Sequence, residues 1–275
     1  MMRPESGAFG ESSLARGFRL LGCFTTRDCE LGSRELIERS GLPRATVFRL
    51  IRQLQKLGLL RHSPGRNSYA LGLGLLVLSN PVLSRLTARR LAGPMMQHAA
   101  DALAGQAILA VGQDRQLVAV ESMRGANSAV LPVDPGTSMS LHRTASGRAY
   151  LAALSAAEAE MLFGPDSPAF HDGAYARART EALGEIEARG YCMVRNEHMP
   201  EIWGVAAPVR IRADGETLVF GCSFASFQRD DARLAMAGER ALGLARSLEA
   251  VLIREDVHAG EAAAAPWQRS SKKVM

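Results

Sequence analysis

Residues 41–60, GLPRATVFRLIRQLQKLGLL, constrain the fold more than any other stretch of the chain. Apolar residues recur in this segment every three or four positions, at Val47, Leu50, Ile51, Leu54 and Leu57. Such spacing predicts a helix that packs one face into a core. The opposite face carries Ala45, Arg49, Arg52, Gln53 and Lys56. The segment has no Asp or Glu to neutralise these cations, so this helix face is expected to meet a polyanion.

The charge of the whole chain is uneven in the same way. Residues 1–74 contain 12 Lys and Arg against 6 Asp and Glu, whereas residues 75–275 contain 21 against 22. Between Glu38 and Asp101 the sequence has ten basic residues and no acidic one. Ordinary surfaces mix both signs because like charges repel each other. The basic excess is therefore a property of the first quarter of the chain, and it indicates a polyanionic partner for that part.

Two further helices are predicted before the basic one. Ser12 or Ser13 can cap a helix that continues to about residue 24, with an apolar stripe at Leu14, Phe18, Leu21 and Phe24. Ser33 can cap a short helix through Glu38, and Gly41 ends it. Pro43 then fits the first turn of the basic helix, where its missing N–H costs nothing. Helix, tight glycine-containing turn, helix is the signature of a helix-turn-helix.

A small hairpin is predicted after the basic helix. The segment LLRHSPGRNSYALG has two strand-like runs around the turn residues Ser63, Pro64, Gly65 and Asn67. A hairpin in this place is the wing of a winged helix. The chain is thus predicted to begin with a winged helix-turn-helix domain.

In a helix-turn-helix the second helix enters the major groove, and its N-terminal residues reach base edges. Arginine can bond guanine through two hydrogen bonds, and Ala or the Thr methyl can touch a thymine methyl. Arg52 and Lys56 lie further along and are expected on phosphates, and the wing tip is expected on flanking DNA. The predicted DNA-contacting residues are Ser33, Arg44, Ala45, Thr46, Arg49, Arg52, Lys56, Arg66 and Asn67. Each arginine alone could instead be an ordinary solvated side chain. The whole group of basic residues, together with the predicted turn and wing, favours DNA binding.

Six segments occur along the chain in a fixed order: SLARGFRLLGCF, LIERSGLPRATVFRLIRQLQKLGLL, YALGLGLLVL, GTSMSLHRTASGRAYLA, RGYCMVRNEH and GVAAPVR. In these residues the chain resembles the IclR family of bacterial transcription regulators, over residues 12–252. The resemblance implies an α+β protein with a winged helix-turn-helix, a helical linker and a C-terminal GAF-like α/β domain that binds an effector. The expected division is a disordered tail 1–11, the DNA-binding domain 12–73, a linker helix 74–92, the effector domain 93–254 and a disordered tail 255–275.

The second part of the chain has its own pattern. AILAVGQDRQLVAVES predicts a hairpin, and AVLPV before Asp134 predicts a third strand. Helices are expected over residues 144–154, from the capping box Ser155 to Glu158, over 175–189 and from about residue 230. VAAPVRIRADGETLVFGCSF predicts another hairpin, with its turn at 214–215. An antiparallel sheet with helices around it is an α+β domain, in agreement with the resemblance.

The linker is predicted to be helical with an interruption at Asn80 and Pro81, because a residue before proline disfavours helix. Its leucines would otherwise be exposed, so they favour packing against a helix of a second subunit. The expected assembly is a homodimer or homotetramer. The longest apolar run is far shorter than a membrane span of roughly 20 residues, and the chain is expected to be cytoplasmic.

The resemblance also implies an effector pocket, lined by Ala145, Ser146, Gly147, Val194, Gly204, Cys222 and Phe224. Family members that bind small carboxylates tend to have an acidic residue where Val194 stands and serines where Cys222 and Phe224 stand. The pocket of this chain is therefore expected to be less polar. An aromatic or otherwise apolar-bodied organic acid is favoured over a two- or three-carbon acid. The alternative is that Val194 and Phe224 are simply core residues.

The main alternative is a catalytic second domain, a hydrolase fused to a nucleic-acid-binding module. It is suggested by Ser146 and His142. Further polar residues in the family-like segments are Ser140, Glu197 and His198. However, Ser146 lies in TASGR, which lacks the first glycine of the nucleophile elbow. The four cysteines have no metal-type spacing and are expected to be buried reduced thiols. A nonspecific nucleoid protein would also be basic but has no use for a neutral second domain. The sequence therefore predicts no enzyme, cofactor or metal, but a regulator of a catabolic or metabolic operon, as repressor or activator.

Overall fold

The computed structural model describes residues 12–164, 173–212, 215–226 and 231–264. The chain forms two compact units, and the boundary between them falls between Arg85 and Leu86. The predicted tail 1–11 lies outside the described residues, as do residues 265–275 of the predicted C-terminal tail. Residues 255–264 are the end of the last helix, ten residues past the predicted domain end.

The first unit is a winged helix-turn-helix. Its helices are α1 (Ser13–Leu21), α2 (Ser33–Ser40), α3 (Arg44–Lys56) and α4 (Gly74–Arg85). Its strands are β1 (Glu30–Gly32), β2 (Leu60–Ser63) and β3 (Ser68–Leu71), which form an antiparallel sheet in the order β1-β3-β2. Strands β2 and β3 are the predicted wing. The core is made mainly of side chains from α1, α2, α3, β1 and β2, among them Leu20, Leu31, Leu36, Val47 and Ile51.

The ends of the first helices follow local chemistry. The Ser12 hydroxyl accepts a hydrogen bond from the Ala15 N–H at 3.2 Å, so Ser12 is the N-cap of α1, as predicted. Gly41 ends α2 in the left-handed region, at φ +64, where a side chain would be strained. The predicted cap at Ser33 is wrong because Ser33 is the first helical residue. Gly32 precedes it, and its N–H donates to the Glu35 carboxylate at 2.8 Å.

Three predicted core positions of the first unit are exposed. Helix α1 ends at Leu21 rather than Phe24, since the chain turns at Gly22. Leu14, Phe18 and Leu57 are 72%, 55% and 68% exposed. Their helical spacing places them on the apolar faces of α1 and α3, but the core of this unit covers only part of each face. The excess apolar surface lies on the outside.

The linker is interrupted at a different residue from the predicted one. Helix α4 continues through Pro81, and the break falls at Leu86, whose ψ of 85 is not helical. Proline removes one helical hydrogen bond, a loss that the remaining turns of α4 tolerate. Residues after Leu86 begin α5 (Thr87–Ala102), which packs in the second unit on its sheet and on its last helix.

The second unit is the predicted α+β domain. Its strands are β4 (Gln106–Gln113), β5 (Gln116–Arg124), β6 (Cys192–Arg195), β7 (Ile202–Pro208) and β8 (Thr217–Ala225). They pair antiparallel in the order β5-β4-β8-β7-β6. Helices α6 (Ala145–Ala153), α7 (Ala156–Phe163) and α8 (Ala174–Arg189) follow the first hairpin, and α9 (Asp231–Ala264) closes the unit.

The sheet of the second unit separates two helical layers. Helix α6 packs on β7 and β8 and against α8, while α5 and α9 also contact the sheet and each other. Side chains alternate between the two layers along each strand. On β8, a Cβ on Gly221 would lie 2.4 Å from the Ser146 hydroxyl of α6, so odd positions of β8 face α6. Phe224 lies under the Arg233 guanidinium of α9 at 4.7 Å, so even positions face α9.

The predicted strand at residues 129–133 is wrong. These residues form a loop that is held by a buried side chain in place of a partner strand. The Gln106 amide, 1% exposed, accepts from the Val133 N–H at 3.1 Å and donates to the Val133 carbonyl at 2.9 Å. By contrast, the capping box at Ser155 is confirmed, with the Glu158 N–H donating to the Ser155 hydroxyl at 3.2 Å. The predicted turn residue Asp214 lies outside the described residues.

Candidate nucleic-acid interface and ligand cavity

Helix α3 buries one face and exposes the other. Val47, Leu50, Ile51 and Leu54 are buried in the core of the first unit. Arg44, Ala45, Arg49, Arg52 and Lys56 are exposed, and Thr46 is half-buried. We call the four cations of this set the basic face. Because the apolar stripe fixes the rotation of α3, the basic face must point to solvent.

The cations of the basic face are largely uncompensated. The Arg49 guanidinium donates to the Ser13 hydroxyl at 3.3 Å, a neutral partner. The Arg44 guanidinium lies 5.6 Å from the centre of the Phe48 ring. Within the described ranges, neither Arg52 nor Lys56 has an ion-pair partner. Side chains of this kind can bind phosphate or a guanine edge without first breaking an ion pair.

The wing carries an ion pair that the sequence pattern did not reveal. Glu30 of β1 accepts hydrogen bonds from the Ser63 and Ser68 hydroxyls at 3.2 and 3.1 Å, and it lies 3.5 Å from the Arg66 guanidinium. The bond from Ser68, followed by that from Ser63 and by the charge of Arg66, lowers the pKa of Glu30. Asn67 takes the left-handed conformation, φ +47, at the turn. Glu30 thus fixes the wing and partly neutralises Arg66.

The other predicted contact of the first unit, Ser33, is half-buried at the start of α2. The cysteines of the chain are free thiols, and three of them are buried as expected. Cys29 is exposed, so the prediction of burial is wrong there. It lies just before β1, outside the core of the unit.

The second unit contains a partly open cavity of about 110 Å³, between the sheet, the start of α6 and the loops beside them. Its walls are mainly apolar, and their polar side chains are Thr137, Ser138, Thr144, Ser146, His198 and Ser223. Five predicted effector residues line it: Ala145, Ser146, Val194, Gly204 and Cys222. We refer to this space as the cavity.

The other two predicted effector residues, Gly147 and Phe224, are not among the residues that line the cavity. A Cβ on Gly147 would lie 2.2 Å from the Ser140 carbonyl oxygen, so this glycine packs against the preceding loop. The Phe224 side chain lies on the opposite face of the sheet, where its ring meets Trp203 edge-on at 6.3 Å. The neighbouring β8 residues Gly221 and Ser223 line the cavity instead.

The first turn of α6 supplies the most buried polar groups of the cavity. The N-cap Thr144 accepts a hydrogen bond from the Gly147 N–H at 3.0 Å and donates one to the Ser140 carbonyl at 2.7 Å. Ser146 is 4% exposed. The N–H groups of a first helical turn have no acceptor within the helix and attract anions. Helix α6 therefore presents this end of its dipole at the wall of an apolar space.

Cys222 of β8 borders the cavity, although its even position turns the thiol toward α9. Burial raises the pKa of Cys222 to about 12, although Arg240 lowers it. The thiol is therefore neutral at neutral pH. Val194, which is 4% exposed, lines the cavity from β6 with an apolar side chain.

The loop between β6 and β7, residues 196–201, carries lining residues that sequence reasoning did not assign to the pocket. His198 and Met199 border the cavity. The preceding Glu197 is held by two arginines from the region of α6: the Arg148 guanidinium lies 2.6 Å from its carboxylate, and Arg143 donates to its carbonyl at 2.8 and 3.2 Å. No sequence signal links these residues, because about fifty positions separate the partners.

The hydrolase-like set is not assembled. The His142 ring meets Tyr175 edge-on at 5.2 Å, whereas Ser146 faces Gly221. The Ser140 hydroxyl accepts from the Arg143 N–H at 3.3 Å. Among the described residues no three His, Cys, Asp or Glu side chains form a group that could hold a metal ion. In the same part of the chain no helix is both long and apolar enough to cross a membrane.

Both units match known families. Residues 13–64 match the model of the IclR helix-turn-helix domain, and residues 80–247 match that of the bacterial transcriptional regulator IclR C-terminal domain. The chain is 33% identical over 206 residues to the HTH-type transcriptional regulator TsaQ1/TsaQ2 of Comamonas testosteroni, covering 74% of each chain. It is 25% identical over 243 residues to the regulator XynR of Escherichia coli, covering 86% of this chain and 96% of that one.

Solved structures show the same fold. An IclR family transcriptional regulator from Brucella abortus is 28% identical, with a TM-score of 0.70 over 87% of this chain and 92% of that one. An IclR homologue from Microbacterium hydrocarbonoxydans, solved in complex with 4-hydroxybenzoate, is 20% identical, with a TM-score of 0.66 over 87% of this chain and 100% of that one.

These matches include both units and their order along the chain. The matched domains and relatives are transcriptional regulators rather than enzymes, which rules out the hydrolase alternative. The chain belongs to the IclR family of bacterial DNA-binding transcriptional regulators.

Proposed function

We propose that this chain is a ligand-responsive regulator of a catabolic or metabolic operon, which binds a partly palindromic operator as a dimer or a pair of dimers. Its effector occupies the cavity and is an aromatic or otherwise apolar-bodied organic acid. One observation carries the proposal: a largely uncompensated basic helix face in the first unit is combined with a mainly apolar cavity in the second. The first suits operator DNA, and the second suits a small effector.

The assignment of the DNA-contacting residues rests on the orientation of α3. Its first turn carries Arg44, Ala45 and Thr46, which are the positions that reach base edges in a helix-turn-helix. Arg49, one turn further, is the arginine we assign to a base. Arg52 and Lys56 are assigned to phosphates, with the wing tip at Arg66 and Asn67 on flanking DNA, and Ser33 at the start of α2. Because Glu30 already pairs with Arg66, the wing contributes less charge than α3.

The class of effector is argued from the cavity. Most of its walls are apolar, and Ser146 lies deep in them at the start of α6, where the helix dipole favours an anion. An apolar body with one carboxylate meets both conditions. The Microbacterium hydrocarbonoxydans homologue, which has the same fold, was solved with 4-hydroxybenzoate, an acid of this kind.

Self-association is proposed from the exposed apolar surface of the first unit. Leu14, Phe18, Leu57 and Leu78 are each more than half exposed, and they line one groove of about 500 Å³ between α1, α3 and α4. Contiguous apolar surface of this kind marks an interaction site. A single winged helix also covers too little DNA for tight specific binding, and a second copy repeats the contact about 34 Å along the helix.

The test begins with selection of genomic fragments by the purified full chain and footprinting of the fragment it retains. A partly palindromic footprint, and sedimentation as a dimer or larger species, are the expected results. Sedimentation as a monomer at micromolar concentration, with and without the fragment, would rule the assembly out. Uniform retention of all fragments would rule out operator specificity.

A further inference from the structure

We infer that His198 determines effector specificity by hydrogen-bonding a second polar group of the effector, at the end farther from Ser146. His198 is positioned by its neighbour Glu197, which Arg143 and Arg148 hold; we call these three residues the clamp. The inference rests on the proposed function, because it assumes that the effector occupies the cavity. It adds a ligand class: an elongated aromatic acid with a hydroxyl at the end opposite its carboxylate.

His198 lies at the mouth of the cavity. It belongs to the loop 196–201 between β6 and β7, and it borders the cavity although its side chain is exposed. His198 is therefore in reach of both the cavity and solvent. Met199, half-buried, lies beside it in the lining. A ligand in the cavity has its outer end at these two residues.

The clamp fixes this loop to the same helix that carries Ser146. The Arg148 side chain is 13% exposed and lies 2.6 Å from the Glu197 carboxylate and 3.7 Å from that of Glu181. It also donates to the His142 carbonyl at 3.2 Å. Arg143 holds the Glu197 carbonyl through two hydrogen bonds. Since both the side chain and the main chain of Glu197 are held, the next residue has a defined position.

The chemistry of His198 suits a hydroxyl group. Within the described ranges, its ring nitrogens have no hydrogen-bond partner. Partial desolvation at the cavity mouth, and then the charge of Arg143, lower the pKa of His198, so the neutral ring predominates at pH 7. A neutral imidazole has one donor and one acceptor, as a hydroxyl does. Glu197 is the nearby acid, but Arg148 already neutralises its carboxylate.

The two ends of the proposed site lie at different levels along the sheet. Ser146 is next to Gly221. His198 lies in the loop that precedes Ile202, and Ile202 pairs with Ala225 at the end of β8. Four residues of β8 separate these levels, or about 13 Å at roughly 3.3 Å per residue. A two- or three-carbon acid cannot bridge both ends. A ring with substituents at opposite positions can.

The experiment compares two probes, benzoate and 4-hydroxybenzoate, by calorimetry on the full chain and four variants. We expect the wild type to bind 4-hydroxybenzoate about five- to tenfold more tightly, which is the effect of one hydrogen bond. His198→Phe keeps a ring but removes the polar atoms, so it should bind both acids equally. Glu197→Gln should leave the affinity for benzoate unchanged and reduce the preference for 4-hydroxybenzoate. His98→Phe, a matched change at an exposed histidine of α5, should keep the full preference.

The outcomes separate this inference from the proposed function. A preference that persists in His198→Phe, or equal binding of both acids by the wild type, would overturn the role of His198. No binding of either acid by the wild type at millimolar concentration would overturn the ligand class. Ser146→Phe should abolish binding of both acids. If Ser146→Phe binds them like the wild type, the cavity is not the effector site, and the proposed function fails at that point.

Discussion

Replacing Lys56 and Arg49 by alanine, one at a time, should weaken DNA binding in two different ways. Lys56 is exposed at the last turn of α3 and has no ion-pair partner among the described residues, so we assign it to a phosphate. Arg49 lies two turns earlier and, within the part of the chain that the structure describes, donates only to the neutral Ser13 hydroxyl, at 3.3 Å, so we assign it to a base. A phosphate contact carries no sequence information, whereas a base contact does.

The expected magnitudes follow from these roles. Each phosphate contact contributes about 0.9 to the slope of log affinity against log salt, which is about 3.5-fold between 50 and 200 mM. Lys56→Ala in both subunits of a dimer should therefore reduce the loss of affinity between 50 and 200 mM salt by a factor of roughly 12, equally for all sequences. Arg49→Ala should cost about 1–3 kcal/mol per half-site on the operator and much less on unrelated DNA.

The assay is fluorescence anisotropy with labelled operator and scrambled duplexes over a salt series. Arg90→Ala is the matched control, because it removes the same charge from an exposed position of α5 in the second unit. It should change neither the slope nor the preference for the operator. Equal losses on operator and scrambled DNA for both Arg49→Ala and Lys56→Ala would refute the division of roles.

Three other predictions concern the cavity, the wing and the thiols. Ser146→Phe should abolish the response of operator binding to an effector and leave operator affinity itself within about twofold; in a gel-shift series, loss of DNA binding would contradict this. The pKa of Glu30 is lowered in the fold, so its stabilising effect is present above the ordinary carboxyl pKa and lost as pH falls through the lowered value. The melting temperature of Glu30→Gln should therefore lie below that of the wild type at pH 7, and the gap should close in acid; a gap independent of pH would contradict it. A thiol reagent at pH 8 should modify exposed Cys29 quickly and buried Cys222, with a pKa of about 12, only after unfolding; rapid modification of Cys222 in the native protein would disprove its burial.

Much of the first unit could be predicted from periodicity, because a helix that buries one face repeats apolar residues at fixed intervals. The four buried positions Val47, Leu50, Ile51 and Leu54 of α3 were predicted in this way. The same rule failed at Leu14, Phe18 and Leu57, since it shows which face is apolar and not whether that face is covered within the chain. Strand β1 has only three residues, too few for a pattern, and the pairing of Glu30 with Arg66 was missed with it.

The cavity could be predicted only in part because strands alternate their side chains. A shift of one residue moves a side chain to the other face of the sheet. The predicted lining named Phe224, whereas its neighbour Ser223 presents the α6 side of β8 and lines the cavity instead. Contacts between distant segments, such as Arg148 with Glu197, leave no local signal at all. The break at Leu86 was missed because Pro81 carried the stronger local signal.

The most direct test of the account is one measurement of linkage between the two units. Operator affinity is measured with and without a saturating effector acid, and the affinity for that acid is measured with and without operator. The account predicts that each ligand changes the affinity for the other by the same factor, about 5- to 150-fold. Such coupling requires that the effector distinguishes two conformations of the protein. An acid that binds in the cavity and leaves operator affinity unchanged would contradict the claim that this chain is regulated by occupancy of its cavity.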